Sequence, residues 1–113
     1  MIMRIWRGRE KKGEAGAYRR HLEGSVFPHL EDLAGFMGAQ LLQRADGEGT
    51  EVMVMTRWSS IKAIEAFAGP DIGRAVVEPA ARAVLESFDD IVTHHEIVAE
   101  RAAPGTTSAR PRN

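Results

Sequence analysis

The chain contains no cysteine, which excludes disulfide staples, thiolate nucleophiles and cysteine-ligated zinc. Asparagine occurs once, at Asn113. No apolar run approaches the roughly 20 residues of a membrane span, so no membrane partner is expected. The opening MIMRIWRGR lacks the apolar core and small-residue site of a secretory signal, so a cytoplasmic location is expected. Charge is nearly balanced, at a formal net -1 over 113 residues, and offers nothing to attract nucleic acid. Basic residues do gather at Arg4, Arg7, Arg9, Lys11, Lys12, Arg19 and Arg20. Glu10, Glu14 and Glu23 interleave them, which is the pattern of a solvated face. A Gly-x-Ser-x-Gly elbow, a glycine-rich phosphate loop and carboxylates at glycosidase or metal-site spacing are also missing. No metal site and no phosphate-cradled cofactor are therefore expected.

What is present is one ordinary globular domain's worth of apolar residues, and their placement in one stretch is informative. Val52–Trp58, VMVMTRW, follows a turn signal, ADGEGT, and reads as a strand. Successive strand side chains alternate between faces, so Val52, Val54 and Thr56 share one face and Met53 and Met55 the other. A strand with one wet face would alternate apolar and polar. This one is apolar on both, so each face of its sheet needs a cover. The chain has helices enough for one face, and a second copy of the chain is the simplest cover for the other. Ser59 or Ser60 then caps a short helix carrying Ile61, Ile64, Phe67 and Ala68, which Gly69-Pro70 ends.

The rest of the chain fits around this block. Ile2–Arg9 reads as a strand with Ile2 and Trp6 on one face and Met3 and Ile5 on the other. Glu14–Leu33 is helix-like, with Tyr18, Leu22, Val26 and Leu30 forming a stripe; Pro28 predicts a kink or break. A second strand covers Phe36–Ala45, placing Met37, Ala39 and Leu41 opposite to Phe36, Gly38, Gln40 and Leu42. Asp71–Ala75 can add a helical turn, and Glu78–Ser87 a further helix opened by Pro79. Phe88–Val98 reads as the last strand, with His94 and His95 facing opposite ways. The division is one domain over 1–99 and a flexible C-terminal tail over 100–113. Two βα-like halves give an α+β, ferredoxin-like four-stranded antiparallel sheet with helices on one face.

This order of elements, with MIMRIWRGR, EVMVMTRWSSIKAIEAFAG and VTHHEIV, resembles the antibiotic biosynthesis monooxygenase-like family of the dimeric α+β barrel superfamily. The resemblance implies a homodimer in which two sheets pack face to face. It implies oxidation of an aromatic or quinol-type small molecule by O2 without metal or flavin, in a pocket between sheet and helices. A non-catalytic homodimer that binds a small hydrophobic ligand is the alternative. A related branch opens haem with an Asn on the first strand, a Trp in the helix after the third strand and a His further on. Here the first strand has no Asn, Phe67 stands in place of the Trp, and Asp71–Pro79 contains no histidine. Haem chemistry is accordingly the less favoured expectation.

Within that implied pocket, His94 or His95 is the expected proton acceptor; as strand neighbours they cannot both enter it. Trp58, Phe67, Tyr18, Phe36 and Trp6 are the expected aromatic walls. Arg57, and likewise Arg4, would stabilise an enolate or phenolate if turned inward and would otherwise form surface ion pairs. Tyr18 and His21 are spaced i, i+3 and share a helix face, with His21 at the pocket margin.

Overall fold

A computed structural model of the chain describes residues 1–105. Its central strand is β1 (Ile2–Glu10), which pairs antiparallel with β3 (Gly49–Trp58) from Ile2↔Trp58 to Glu10↔Thr50. Beyond β3 lies β2 (Phe36–Asp46), joined to it by a tight turn at Gly47, whose φ of 64° is the left-handed conformation glycine adopts freely. On the other edge of β1, β4 (Leu85–Phe88) and β5 (Thr93–Glu96) each pair with it antiparallel. The five-stranded sheet has the order β2-β3-β1-β4, with β5 also on β1. This is the expected ferredoxin-like α+β arrangement, with its last strand in two pieces.

The break in that last strand corrects the expected continuous Phe88–Val98. Asp89 N–H donates to the Arg7 carbonyl, the Trp6 indole donates to the Asp89 carbonyl at 2.9 Å, and Val92 N–H donates to the Gly73 carbonyl. The loop from Asp71 to Val77 thus takes backbone partners that a continuous ladder would have used. Asp71–Ala75 is not helical for the same reason, since Arg74 bridges Ile91 and Ala75 N–H bonds Asp90. The helix after Pro79 also stops early, at Val84, because Leu85 turns extended and pairs with Glu10.

Helices α1 (Ala17–His21) and α2 (Phe27–Glu31) flank a π turn over Leu22–Val26, and α3 (Ile61–Ala68) and α4 (Pro79–Val84) complete the layer. The kink or break expected at Pro28 takes the form of this π turn. Pro28 has no N–H for the Gly24 carbonyl, and Phe27 N–H reaches back five residues to Leu22. All helices lie on one sheet face. There Trp6, Val52 and Val54 pack against Tyr18, Leu22 and Ala81, and Trp58 packs against Leu30 and Ile64. Each large apolar side chain so buried stabilises the fold by about 1.5–3 kcal/mol. Ser60 caps α3, its hydroxyl accepting from Ala63 N–H at 3.1 Å.

A bulge between Phe36 and Gly38 changes the face assignment made for β2. Phe36 pairs with Trp58 and Gly38 with Arg57, so Phe36 joins Ala39 and Leu41 on the helix side. The opposite face carries Met3, Ile5, Met53 and Met55, all partly exposed, and Leu42 at 45% exposure. Among the described residues no helix packs on it, and no helix is long and apolar enough to cross a membrane. Of the C-terminal tail expected from residue 100, positions 106–113 lie outside the described residues; Glu100 reaches Arg57 at 3.5 Å.

Candidate functional site

Strand parity places Arg4 and Trp6 of β1 beside Thr56 and Val54 of β3, on the face covered by helices. Tyr18 and His21 come down from α1, Phe67 from α3, and Val76–Glu78 from the loop ahead of α4. Together they enclose a cavity of about 50 Å³ that opens at a mouth, with about 560 Å³ of atom-free space when the solvent at the lip is included. The inner part holds a few waters.

Aliphatic side chains make up most of the apolar wall, and Trp6, Tyr18 and Phe67 are its aromatic part. Trp6 stacks on Tyr18 with ring centroids 5.4 Å apart, and the indole is held by its bond to Asp89. Trp6 lies flat over Gly8, where a Cβ would come within 2.7 Å of the ring, so only glycine leaves this strand position open. Burial, and then the charge of Glu78, push the Tyr18 phenol well above its usual range, so it stays protonated and keeps an O–H to donate.

Arg4 is the unusual group. It is 4% exposed, and its guanidinium donates to the carbonyls of Ile72 and Arg74 (3.1 Å for the latter) and contacts His94 Nε2 at 3.0 Å. It lies 5.7 Å from the centre of the Phe67 ring. No carboxylate among the described residues forms an ion pair with it. Burial pulls its pKa down to about 10, which still leaves it charged at neutral pH. A guanidinium has no acceptor, so His94 must accept through Nε2 and carry its hydrogen on Nδ1. Burial first, then the charges of Arg4 and His95, lower the His94 pKa and favour that neutral form.

His21 presents its imidazole to the same cavity, with Nε2 3.6 Å from Glu78 Oε1 and the ring 6.1 Å from Tyr18. It follows that the cavity brings together Trp6, Tyr18 and Phe67 of the expected wall. Trp58 is fully buried behind Phe67, stacked at 5.8 Å, with Phe36 edge-on to it at 5.4 Å. Arg57 is on the opposite sheet face with its Nε buried and unpaired. His95 is also there, beside Met3, its Nε2 2.9 Å from Thr93 Oγ1. Of the two readings open for Arg4, the inward one is observed. Nothing local in the sequence joins Glu78 to His21; only the fold brings them together. Among the described residues no three His, Asp or Glu side chains gather around a common point suited to a metal ion.

Comparisons with known proteins bear on this geometry. The family described as antibiotic biosynthesis monooxygenase matches residues 1–79. No curated protein matches the chain. A solved structure of the heme-degrader MhuD from Mycobacterium tuberculosis, with two hemes bound in its active site, is 24% identical; it covers 90% of this chain and 100% of its own, with a TM-score of 0.62. The monooxygenase ActVA-Orf6 of Streptomyces coelicolor, in complex with nanaomycin D, is 15% identical over 93% of this chain and 92% of its own, with a TM-score of 0.56. A Bacillus cereus protein named for antibiotic biosynthesis monooxygenases is 18% identical over 91% and 96%, with a TM-score of 0.61. At such identities these likenesses speak for the fold.

Proposed function

The chain belongs to the antibiotic biosynthesis monooxygenase family, and from that premise we propose that it is a small cofactor-independent monooxygenase oxidising an aromatic, quinol-type molecule with O2. The observation that carries this reading is the cavity, in which Trp6, Tyr18 and Phe67 surround a buried guanidinium and an imidazole–carboxylate pair. An electron-rich phenol reacts with O2 once deprotonated. The protein then needs a proton acceptor, a charge to hold the phenolate, and walls that exclude water.

In this reading His21, oriented by Glu78, takes the phenol proton. The phenolate ring carbon adds O2, and the peroxide takes that proton back. Loss of the ring C–H proton and cleavage of the O–O bond then give a quinone and water. One oxygen atom enters the product and the other leaves as water. His94, one of the two expected acceptors, has its basic nitrogen engaged by Arg4 and here serves to orient that guanidinium. His95 lies across the sheet and is given no step. A second copy of the chain, packed on the Met3, Ile5, Met53 and Met55 face, completes the proposed α+β barrel.

Haem does not fit these residues. The stretch in which haem-opening relatives are expected to carry an iron-ligating histidine presents Val76 and Val77 to the cavity instead, and the one imidazole lining it among the described residues faces Glu78.

Oxygen uptake in the presence of a dihydroxynaphthalene tests the proposal. The expected result is one O2 consumed per hydroxynaphthoquinone formed, with His21→Gln slowing turnover by about 10²–10⁴-fold. Absence of protein-dependent uptake, with the naphthol still bound, would overturn the oxygenase and leave a ligand-binding protein.

A further inference from the structure

Arg4 has five N–H donors, as every guanidinium does. Three are engaged, by Ile72, Arg74 and His94. The Nε–H and one Nη2–H make no hydrogen bond within the described residues. These two atoms form one side of the guanidinium fork, the geometry that takes two oxygens at once. The residue is buried, lines the cavity, and carries a charge that no carboxylate among the described residues offsets. Glu78, the single carboxylate lining the cavity among the described residues, is 54% exposed at its side chain and faces His21. A buried cation left without a counter-charge is costly to a fold. The two carbonyls and the neutral imidazole hold Arg4 in place without cancelling its charge.

From this we infer that Arg4 is an anion anchor, and that the cavity takes flat aromatic ligands bearing an acidic oxygen pair, a carboxylate or a hydroxyquinone enolate with its neighbouring carbonyl. The ligand's charged edge sits against the free side of the guanidinium, and its ring lies between Trp6 and Phe67. This deepens the proposed function by naming the ionised edge of its substrate and product, and it rests on that reading only for turnover. Binding is independent of it.

The experiment compares two probes by calorimetry on the intact protein. One is a naphthoquinone with a hydroxyl on the quinone ring, which is an enolate at neutral pH; the other is its methyl ether, which cannot ionise. The wild-type protein is expected to bind the enolate about tenfold or more tightly than the ether. Arg4→Met, of similar length and uncharged, should abolish that preference, and Arg4→Lys, which keeps the charge but loses the fork, should retain only part of it. Should Arg4→Met fail to fold, the wild-type protein still decides: acidifying below the pKa of the probe must erase the preference. Equal affinity for the two probes, binding of neither, or a folded Arg4→Met protein that keeps the preference would each overturn the inference. A preserved preference with no oxygen uptake would sink the oxygenase alone.

Discussion

Trp6 and Trp58 are both buried aromatic residues on the same sheet face, yet they have different tasks. Trp6 forms the cavity wall, whereas Trp58 is fully buried in the adjoining cluster and its indole N–H donates to Thr56 Oγ1 at 2.8 Å. Trp58→Phe removes that bond and leaves a small void, so stability should fall by about 1–3 kcal/mol in urea titrations. Affinity for an aromatic probe should change less than twofold, since Phe67 stands between Trp58 and the cavity. A large loss of affinity at unchanged stability would place Trp58 in the site after all. The sequence suggested a wall residue, and the structure places Trp58 behind the wall. What the sequence lacked was the bulge ahead of Gly38, which brings Phe36 onto Trp58 and closes that cluster. Arg4 was similar. The sequence left it open between an inward position and a surface ion pair, because its partners arrive from Ile72, Arg74 and His94, distant positions that no local pattern links.

Among the elements, strands β1, β2 and β3 were legible because alternation and the glycine turn mark them independently of tertiary context. The boundaries of α4, β4 and β5 were not, because Leu85 leaves the helix only in order to pair with Glu10, and the strand breaks only where the Asp71–Val77 loop takes its bonds. The long helical segment lies between these cases: its apolar stripe predicted the buried residues Tyr18, Leu22 and Leu30, while Pro28 gave the disturbance but not its form. Gly24 sits in the π turn, exposed, and a Cβ there would meet nothing within 4 Å. Replacing it by alanine narrows the unfolded ensemble at no steric cost. Gly24→Ala should therefore stabilise the protein by about 0.4–1 kcal/mol and raise the thermal midpoint by a few degrees. A lowered midpoint would mean that the π turn requires glycine, with consequences for His21 immediately before it.

At the scale of the whole molecule, the open sheet face sets the sharpest demand. Met3, Ile5, Met53, Met55 and Leu42 form a contiguous apolar surface on paired strands, with Ile5 opposite Met55 and Leu42 opposite Met53. Surfaces of this kind are covered in soluble proteins, and a two-fold axis lets one patch cover its own copy. Because each residue of such an interface is used twice, one charge introduced at its centre enters it as two like charges. Met55→Glu should leave the single-chain fold intact, since that side chain points away from the helices, and should sediment as a monomer at micromolar concentration where the parent, on the proposed pairing, sediments as a dimer. Its thermal midpoint should also fall, because the proposed dimer would no longer add binding energy to folding. The cavity lies on the other face of the sheet, so ligand affinity in the monomeric variant should stay near that of the parent if the sheet alone positions Arg4 and Trp6. A wild-type protein that sediments as a monomer would refute the pairing while leaving the cavity, and the chemistry assigned to it, untouched.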